Sequence, residues 1–229
     1  MKTTHTDVLD KGYVRLVDVM GSDLSVVNAA RASFAKESDT MTDADSKLIR
    51  YLADNGHTSP FRHAFMSFEV KAPLMVARQW WKHVVGSDHT MDAWNEASRR
   101  YVTMLEEFYV PVFRVAPENK KQGSGDVHHG TDDWETKLRA VQRTGLELYQ
   151  AALDDGVAPE LARGFLPSDF QYVTWRWSTS LQSVTHFLAQ RLDEHAQWEI
   201  QRYAEAVYGM AVAHFPVSVA AMIKDYGNG

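Results

Sequence analysis

The period of hydrophobic and polar positions changes several times along the chain, which indicates that helices and strands occur together. Alternating apolar and polar residues are typical of a half-buried strand, and apolar residues at i, i+3, i+4 and i+7 indicate a helix. The alternating segments predict strands over residues 13–20, 65–73, 106–113 and 170–178. The helical spacing predicts helices over 22–34, 42–57, 74–85, 132–155, 158–166, 181–192 and 195–215. Because these elements neither alternate strictly nor segregate, we expect one α+β domain, with a mixed sheet and long helices, over residues 1–229.

The clearest helix covers residues 195–215 and carries one apolar stripe. The stripe consists of Ile200, Tyr203, Ala204, Val207, Ala211 and His214. A stripe at this spacing predicts a core face or a subunit interface. Residues 115–131, "VAPENKKQGSGDVHHGT", are polar and lack periodicity, so they predict a loop that ends at a helix N-cap at Thr131 or Asp132.

Composition and charge exclude several classes of protein. Of the 229 residues, 45% are hydrophobic and 24% are charged, as in ordinary globular proteins. The net charge of −6 argues against general nucleic-acid binding but allows a small phosphorylated ligand held by a few arginines. No apolar run approaches the roughly 20 residues that span a bilayer. The first residues, "MKTTHTDVLDKG", lack the apolar core of a signal peptide, so we expect a cytoplasmic location.

Several kinds of chemistry lack their sequence signatures. The chain has no cysteine, which excludes disulfides, thiolate zinc sites and cysteine nucleophiles. Its ten histidines include no HExxH spacing, and we expect no metal site. The motifs GxSxG, GxGxxG and GxxxxGK[ST] are also absent, which argues against a serine hydrolase and against the standard nucleotide loops.

Anion binding has better support. In "NEASRRY", Glu96, Ser98 and Arg100 occupy alternate positions, so an extended backbone would point them to one side. An acid, a hydroxyl and a guanidinium can together satisfy a sugar hydroxyl and a phosphate. Arg163 and Arg191 lie in otherwise apolar predicted helices, where each needs either an anionic ligand or a buried acid as its partner.

Six motifs, in order along nearly the whole chain, resemble those of the flavin-dependent thymidylate synthases. They are "LDKGYVRLVDVMGSDLSVVNAARASF", "NGHTSPFRH", "KAPLMVARQWWKH", "NEASRRY", "ELARGFLP" and "LDEHAQWEIQRYA". The resemblance implies a homotetramer whose active sites are each built from several subunits around FAD. It also implies NADPH and methylenetetrahydrofolate as co-substrates.

Carried over position by position, the resemblance implies two sets of site residues. The nucleotide set is Gln79, Trp80, Trp81, Lys82, Glu96, Ala97, Ser98, Arg99, Arg100, Arg163 and Arg191. The flavin set is Ser59, Lys82, His83, Val84, Glu96, Ser180, Leu181, Gln182 and His186.

The chain departs from the family signature, which is Arg-His-Arg followed at a fixed distance by serine. Here the triplet is Lys82-His83-Val84, and the segment before Ser98 is longer by several residues, which we place in 86–94. Lys82 keeps the charge but loses the planar fork of arginine, and Val84 loses the charge.

The missing cysteine bears on the expected mechanism. The better-known thymidylate synthases activate carbon 5 of uracil by adding a cysteine thiolate to carbon 6, and this chain has no cysteine. Electrostatic activation remains: an arginine at the pyrimidine edge stabilises negative charge on the ring, including the N3-deprotonated form. The resemblance assigns this catalytic role to Arg191 and assigns hydride delivery to the reduced flavin. The altered triplet and longer loop leave dUMP and UMP both open as substrates, the latter as in uridylate C5-methylases of nucleoside-antibiotic pathways. A non-catalytic flavin- or nucleotide-binding relative is a further alternative.

Overall fold

An antiparallel sheet forms the centre of the computed structural model, which describes residues 5–82, 93–97, 107–117 and 123–224. Within these ranges the strands are β1 (His5–Val8), β2 (Gly12–Met20), β3 (Phe65–Pro73), β4 (Ala93–Glu96) and β5 (Tyr172–Ser180). Their order across the sheet is β1-β2-β3-β5-β4, and every neighbouring pair is antiparallel.

The α+β prediction is confirmed, but the prediction of a mixed sheet is wrong. Met20 at the end of β2 pairs with Phe65 at the start of β3, so the chain leaves and re-enters the sheet at the same end. Likewise Pro73 at the end of β3 pairs with Tyr172 at the start of β5. A parallel pair would require the connection to cross to the opposite end of the sheet.

Helices cover the apolar face of the sheet and its ends. They are α1 (Asp23–Arg31), α2 (Asp43–Asp54), α3 (Leu74–Trp81), α4 (Thr131–Asp154), α5 (Pro159–Ala162), α6 (Leu181–Arg191), α7 (Trp198–His214) and α8 (Pro216–Met222). Short 3₁₀ turns occur at Ala32–Phe34, Ser59–His63, Arg163–Phe165 and Ser168–Phe170. None of the helices described is long and apolar enough to cross a membrane.

Alternation along the strands separates a buried face from a polar one. On β3, Phe68 and Val70 are fully buried, whereas Glu69 between them lies on the polar face. Trp80 of α3 packs on the buried face and stacks on Phe187 of α6 with ring centroids 4.2 Å apart. Aromatic burial of this size contributes much of the core energy of a domain, so α3 and α6 are held in fixed positions against the sheet.

The stripe on α7 belongs to the core. Its first five members, from Ile200 to Ala211, are fully buried, and His214 is only partly buried. The stripe is therefore a core face and not a subunit interface.

Some predicted boundaries need correction. Residues 107–113, the described part of the predicted strand 106–113, form no strand, because Phe108 makes only a single bridge to Gln171. Helix α4 begins at Thr131 with Gly130 as its N-cap. The predicted loop 86–94 is wrong at its end, since Ala93 and Trp94 begin β4, which pairs with β5.

Candidate active site

Arg191 ends helix α6 and is the most distinctive cation of the site. Its side chain is partly buried, and this burial lowers the pKa of Arg191 below its usual value. The Nε atom is buried, and no described residue accepts a hydrogen bond from it. Among the residues that the structure describes, no acid forms an ion pair with this guanidinium. A desolvated cation of this kind has the properties of an anion-binding group.

Gln79 of α3 lies in the same pocket as Arg191. The pocket has a volume of about 660 Å³, and its polar wall consists of Gln79, Gln190, Arg191, Asp193, His195 and Gln197. The amide of Gln79 donates hydrogen bonds to Gln197 Oε1 at 2.5 Å and to the carbonyl oxygen of Met75 at 3.3 Å. We call this cavity the Arg191 pocket.

A second pocket contains three other residues of the predicted nucleotide set. It has a volume of about 720 Å³, and Glu96, Ala97 and Arg163 contribute to its lining. Glu96 lies in the extended backbone of β4, and the Ala97 amide continues this pairing by donating to the Thr174 carbonyl oxygen at 2.9 Å. We call this cavity the Arg163 pocket.

The environment of Arg163 differs from the predicted one. It starts a 3₁₀ turn after α5 and is exposed, with Nε donating to the Glu160 carbonyl oxygen at 3.1 Å. The prediction that it lies in a packed helix is therefore wrong. α5 is only one turn long, and Phe165, which follows it, is half exposed as well. The alternative partner, a buried acid, is not found for Arg163 or Arg191 in the described parts of the chain.

Helix α3 contributes to both pockets from different sides. Leu74 lines the Arg163 pocket and Gln79 lines the Arg191 pocket. Five positions of a helix with 3.6 residues per turn place two side chains about 140° apart around its axis. One protomer therefore divides the predicted nucleotide set between two separate surfaces.

Trp80, Trp81 and Lys82 complete the described part of this set. Trp80 is fully buried, so its side chain supports the site from the core and lines neither pocket. Trp81 is partly buried against Trp94, and Lys82 is exposed at the end of α3.

Five described members of the predicted flavin set lie around the start of α6, namely Ser59, Ser180, Leu181, Gln182 and His186. The other two lie elsewhere, Lys82 at the end of α3 and Glu96 in the Arg163 pocket. The Ser59–His63 turn contacts α6, and the Leu181 amide donates to the Ala64 carbonyl oxygen at 2.8 Å, just after this turn. Ser180 is the N-cap of α6 and accepts a hydrogen bond from the Ser183 amide at 3.3 Å. Burial lowers the pKa of His186, one and a half turns into α6, and so favours its neutral imidazole.

The donor set near Ser59 suits the diphosphate of a dinucleotide. A pocket of about 430 Å³ is lined by His57, Ser59 and Arg62 among others, and Arg62 has no acidic partner among the described residues. A partly buried arginine beside hydroxyl and imidazole donors suits a diphosphate. Neither Arg62 nor His57 was assigned to the site from the sequence, although both lie within the quoted motif "NGHTSPFRH".

Five predicted site residues lie outside the described residues. They are His83, Val84, Ser98, Arg99 and Arg100, and most of the 86–94 segment lies there too. His195 and Gln197, by contrast, line the Arg191 pocket without having been predicted. The apolar spacing predicts a helix from residue 195 that would include both, whereas α7 begins only at Trp198. Within the described ranges, no group of three or more potential ligands could hold a metal ion.

Known proteins similar to this chain identify its family. The family described as "Thymidylate synthase complementing protein" (Thy1) matches residues 15–217. The flavin-dependent thymidylate synthase of Thermosipho africanus is 39% identical over 95% of this chain and 93% of its own length. A flavin-dependent thymidylate synthase of Thermus thermophilus is 42% identical over 93% of this chain and 76% of its own length.

A solved structure extends the comparison to three dimensions. The UMP/dUMP methylase PolB from Streptomyces cacaoi, bound with 5-Br dUMP, superposes with a TM-score of 0.81 at 30% identity, covering 96% of this chain and 97% of PolB. The same methylase bound with 5-Br UMP gives a TM-score of 0.78 at 29% identity, covering 95% of this chain and 96% of PolB.

These similarities define the class of protein, which is a flavin-dependent enzyme. The chain belongs to the flavin-dependent thymidylate synthase family.

Proposed function

We propose that this enzyme methylates carbon 5 of dUMP, UMP or both, with FAD as its cofactor and methylenetetrahydrofolate and NADPH as co-substrates. The observation that carries the proposal is the guanidinium of Arg191, which shares a pocket with Gln79 and has a buried Nε atom without an acceptor among the described residues. Family membership supplies the reaction class, and the geometry supplies a cation suited to an electron-rich ring.

Arg191 acts as the catalytic electrophile at the pyrimidine. Carbon 5 of uracil becomes more nucleophilic as negative charge is stabilised on the ring, and a guanidinium at the ring edge provides that stabilisation. Because burial removes water from the Arg191 side chain, its field on a bound ring is screened less than it would be at the surface. The flavin, when bound, supplies the hydride that converts the added methylene into a methyl group. The chain's own residues hold the pyrimidine and stabilise its charge.

We further propose that each active site combines the Arg191 pocket of one subunit with the Arg163 pocket of another, within a homotetramer. The division of the predicted nucleotide set between two separate surfaces of one protomer supports this proposal. A mononucleotide needs a group for its base and a group for its phosphate. In this arrangement, Gln79 and Arg191 hold the base, and Glu96, Ser98, Arg100 and Arg163 hold the sugar phosphate.

The choice between dUMP and UMP rests on the sugar. The PolB methylase, which is similar over nearly the whole chain, has been solved with both 5-Br dUMP and 5-Br UMP. Glu96, a carboxylate that lines the Arg163 pocket, is able to accept a hydrogen bond from a ribose hydroxyl. We therefore propose that both nucleotides are substrates.

Product analysis tests the proposal directly. The purified enzyme is incubated with dUMP or UMP, together with FAD, NADPH and methylenetetrahydrofolate. The nucleotides are then separated, and their masses are determined by mass spectrometry. We expect the 5-methyl nucleotide from each. An FAD-loaded protein that produces neither would overturn the proposed reaction and favour a non-catalytic nucleotide-binding role.

A further inference from the structure

Two amide side chains connect a buried carboxylate to the wall of the Arg191 pocket. Glu199, in the first turn of α7, is only 5% exposed. Its Oε2 atom accepts a hydrogen bond of 2.8 Å from Gln197 Nε2, and Gln197 Oε1 accepts the 2.5 Å hydrogen bond from Gln79 Nε2. Glu199 lies outside the lining of the Arg191 pocket, and these two amides connect it to the pocket wall.

The direction of every hydrogen bond in this chain follows from the carboxylate. An ionised carboxylate only accepts, so the amide of Gln197 must turn its NH₂ group toward Glu199. The other oxygen of Glu199 accepts from the Tyr109 hydroxyl at 3.3 Å and lies 3.6 Å from Arg114 Nη1, surroundings that suit a negative charge. With its NH₂ group committed, Gln197 can offer only its oxygen to Gln79.

The orientation of the Gln79 amide is then fixed as well. Both hydrogens of its amide are used, one by Gln197 Oε1 and one by the Met75 carbonyl oxygen. Its own Oε1 atom has no hydrogen-bond partner among the described residues. Among the polar groups of the pocket, Gln79 is therefore left with an amide oxygen as an acceptor, and Arg191 supplies guanidinium donors.

We propose that Glu199 and Gln197 are positioning residues that hold the Gln79 amide with its oxygen available, so that Gln79 accepts a hydrogen bond from the pyrimidine. This inference rests on the proposed function. In the neutral pyrimidine that first binds, the imide N3–H is the donor that matches a carbonyl acceptor, and the flanking carbonyl oxygens match the donors of Arg191. The negative charge that Arg191 stabilises develops on the ring only after this binding step. With the amide reversed, Gln79 would present NH₂ to the imide N–H, and two donors would face each other.

Two substitutions remove the relay without deleting bulk. Glu199→Gln replaces the obligatory acceptor by an amide, which lets the Gln197 amide reverse. Gln197→Met removes both relay hydrogen bonds and leaves the buried carboxylate in place. Because a lost hydrogen bond is typically worth a factor of about 10 in binding, we expect each variant to raise the KM for dUMP by about tenfold, with a smaller change in kcat.

Tyr109→Phe is the matched control. It removes a hydrogen bond from the same carboxylate, but on the oxygen that faces away from the relay. We expect a lower thermal midpoint with an unchanged KM for dUMP. If Tyr109→Phe raises the KM as much as Glu199→Gln, the effect belongs to packing of the cluster, and the inference fails.

A double-mutant cycle gives the decisive measurement. The dissociation constant of dUMP is measured by calorimetry for the FAD-loaded wild type, Glu199→Gln, Gln79→Ala and the double variant. If Glu199 acts through Gln79, then Glu199→Gln has no further effect in the Gln79→Ala background. Additive losses would overturn the positioning role while leaving the proposed function intact, whereas a wild type that does not bind dUMP would overturn the proposed function itself.

Discussion

Arg191 and Gln79 line one pocket, although Arg191 ends α6 and Gln79 lies in α3. The two helices meet because Trp80 stacks on Phe187 in the core. Packing of two aromatic rings thus places a cation and an amide on the wall of one cavity.

Removal of the Arg191 charge is expected to abolish methyl transfer and to leave the flavin bound. Loss of a preorganised electrostatic group typically lowers kcat by about 10² to 10³. The measurement is the rate of 5-methyl nucleotide formation by Arg191→Ala, with the flavin absorbance recorded on the same sample. Arg191→Lys serves as the control, because it keeps the charge but loses the planar fork. Its rate should lie between that of the wild type and that of Arg191→Ala. Wild-type turnover by Arg191→Ala would contradict the mechanism.

Mixed oligomers are expected to recover activity from two inactive variants. Arg191→Ala damages one pocket and Arg163→Ala the other, so co-expression should produce sites that combine two intact halves. When equal amounts of the two subunit types assemble at random, about a quarter of all sites combine two intact halves. The recovered rate is compared with that of each variant alone. Sedimentation of an active species at the monomer mass of 26.0 kDa would exclude shared sites.

Asp23 joins the two ends of the chain, and its substitution is expected to destabilise the fold. This buried carboxylate accepts hydrogen bonds of 2.9 Å from the amides of Val217 and Ser218, at the start of α8. Asp23→Asn turns an NH₂ group toward one of these donors, which should cost about 2 kcal/mol in the free energy of unfolding. Denaturant titration measures the change. The exposed Asp39→Asn is the same chemical change without the contacts and should alter stability little.

Glu69 is expected to make stability depend on pH in the acid range. Burial acts to raise its pKa, but hydrogen bonds from Arg15 and Tyr13 and the charges of Arg15 and Arg176 outweigh burial and lower the pKa of Glu69. Because the pKa is lower in the folded state, the ionised Glu69 stabilises the fold at pH values above its unfolded pKa of about 4.3. This stabilisation is lost as the pH falls through the folded pKa. Glu69→Gln should therefore lower stability by about 1 kcal/mol at neutral pH.

The same substitution should have little effect below the folded pKa, where both proteins carry a neutral group. Denaturant titrations of both proteins across the acid range check this convergence. A stability difference that stays constant with pH would show that the charge of Glu69 is not the cause.

The long segment before β4 is expected to influence the choice of sugar. It precedes Glu96, which lines the Arg163 pocket, so a change in its length should shift that carboxylate relative to a ribose hydroxyl. Shortening 86–92 leaves Ala93 and Trp94 in place for pairing with β5. The measurement is the ratio of UMP to dUMP turnover. An unchanged ratio in a folded, flavin-bound variant would remove the segment from substrate selection.

The local pattern of the sequence determined most helices, strands β2, β3 and β5, and the buried stripe on α7. In these elements one face meets the core along its whole length, so the period of the apolar residues indicates whether the segment is a helix or a strand. The sequence also excluded cysteine chemistry outright, because a missing residue type cannot be supplied by folding.

The tertiary structure alone decided the surroundings of single residues. Arg163 and Arg191 lie in similar apolar stretches, yet one is exposed and the other is partly buried without an acidic partner in the described chain. Gln79 and Glu96 are near in sequence but line different pockets. β4 exists because β5 offers it a free edge. Each outcome depends on which distant element covers a given surface, and no local pattern of apolar residues encodes that contact.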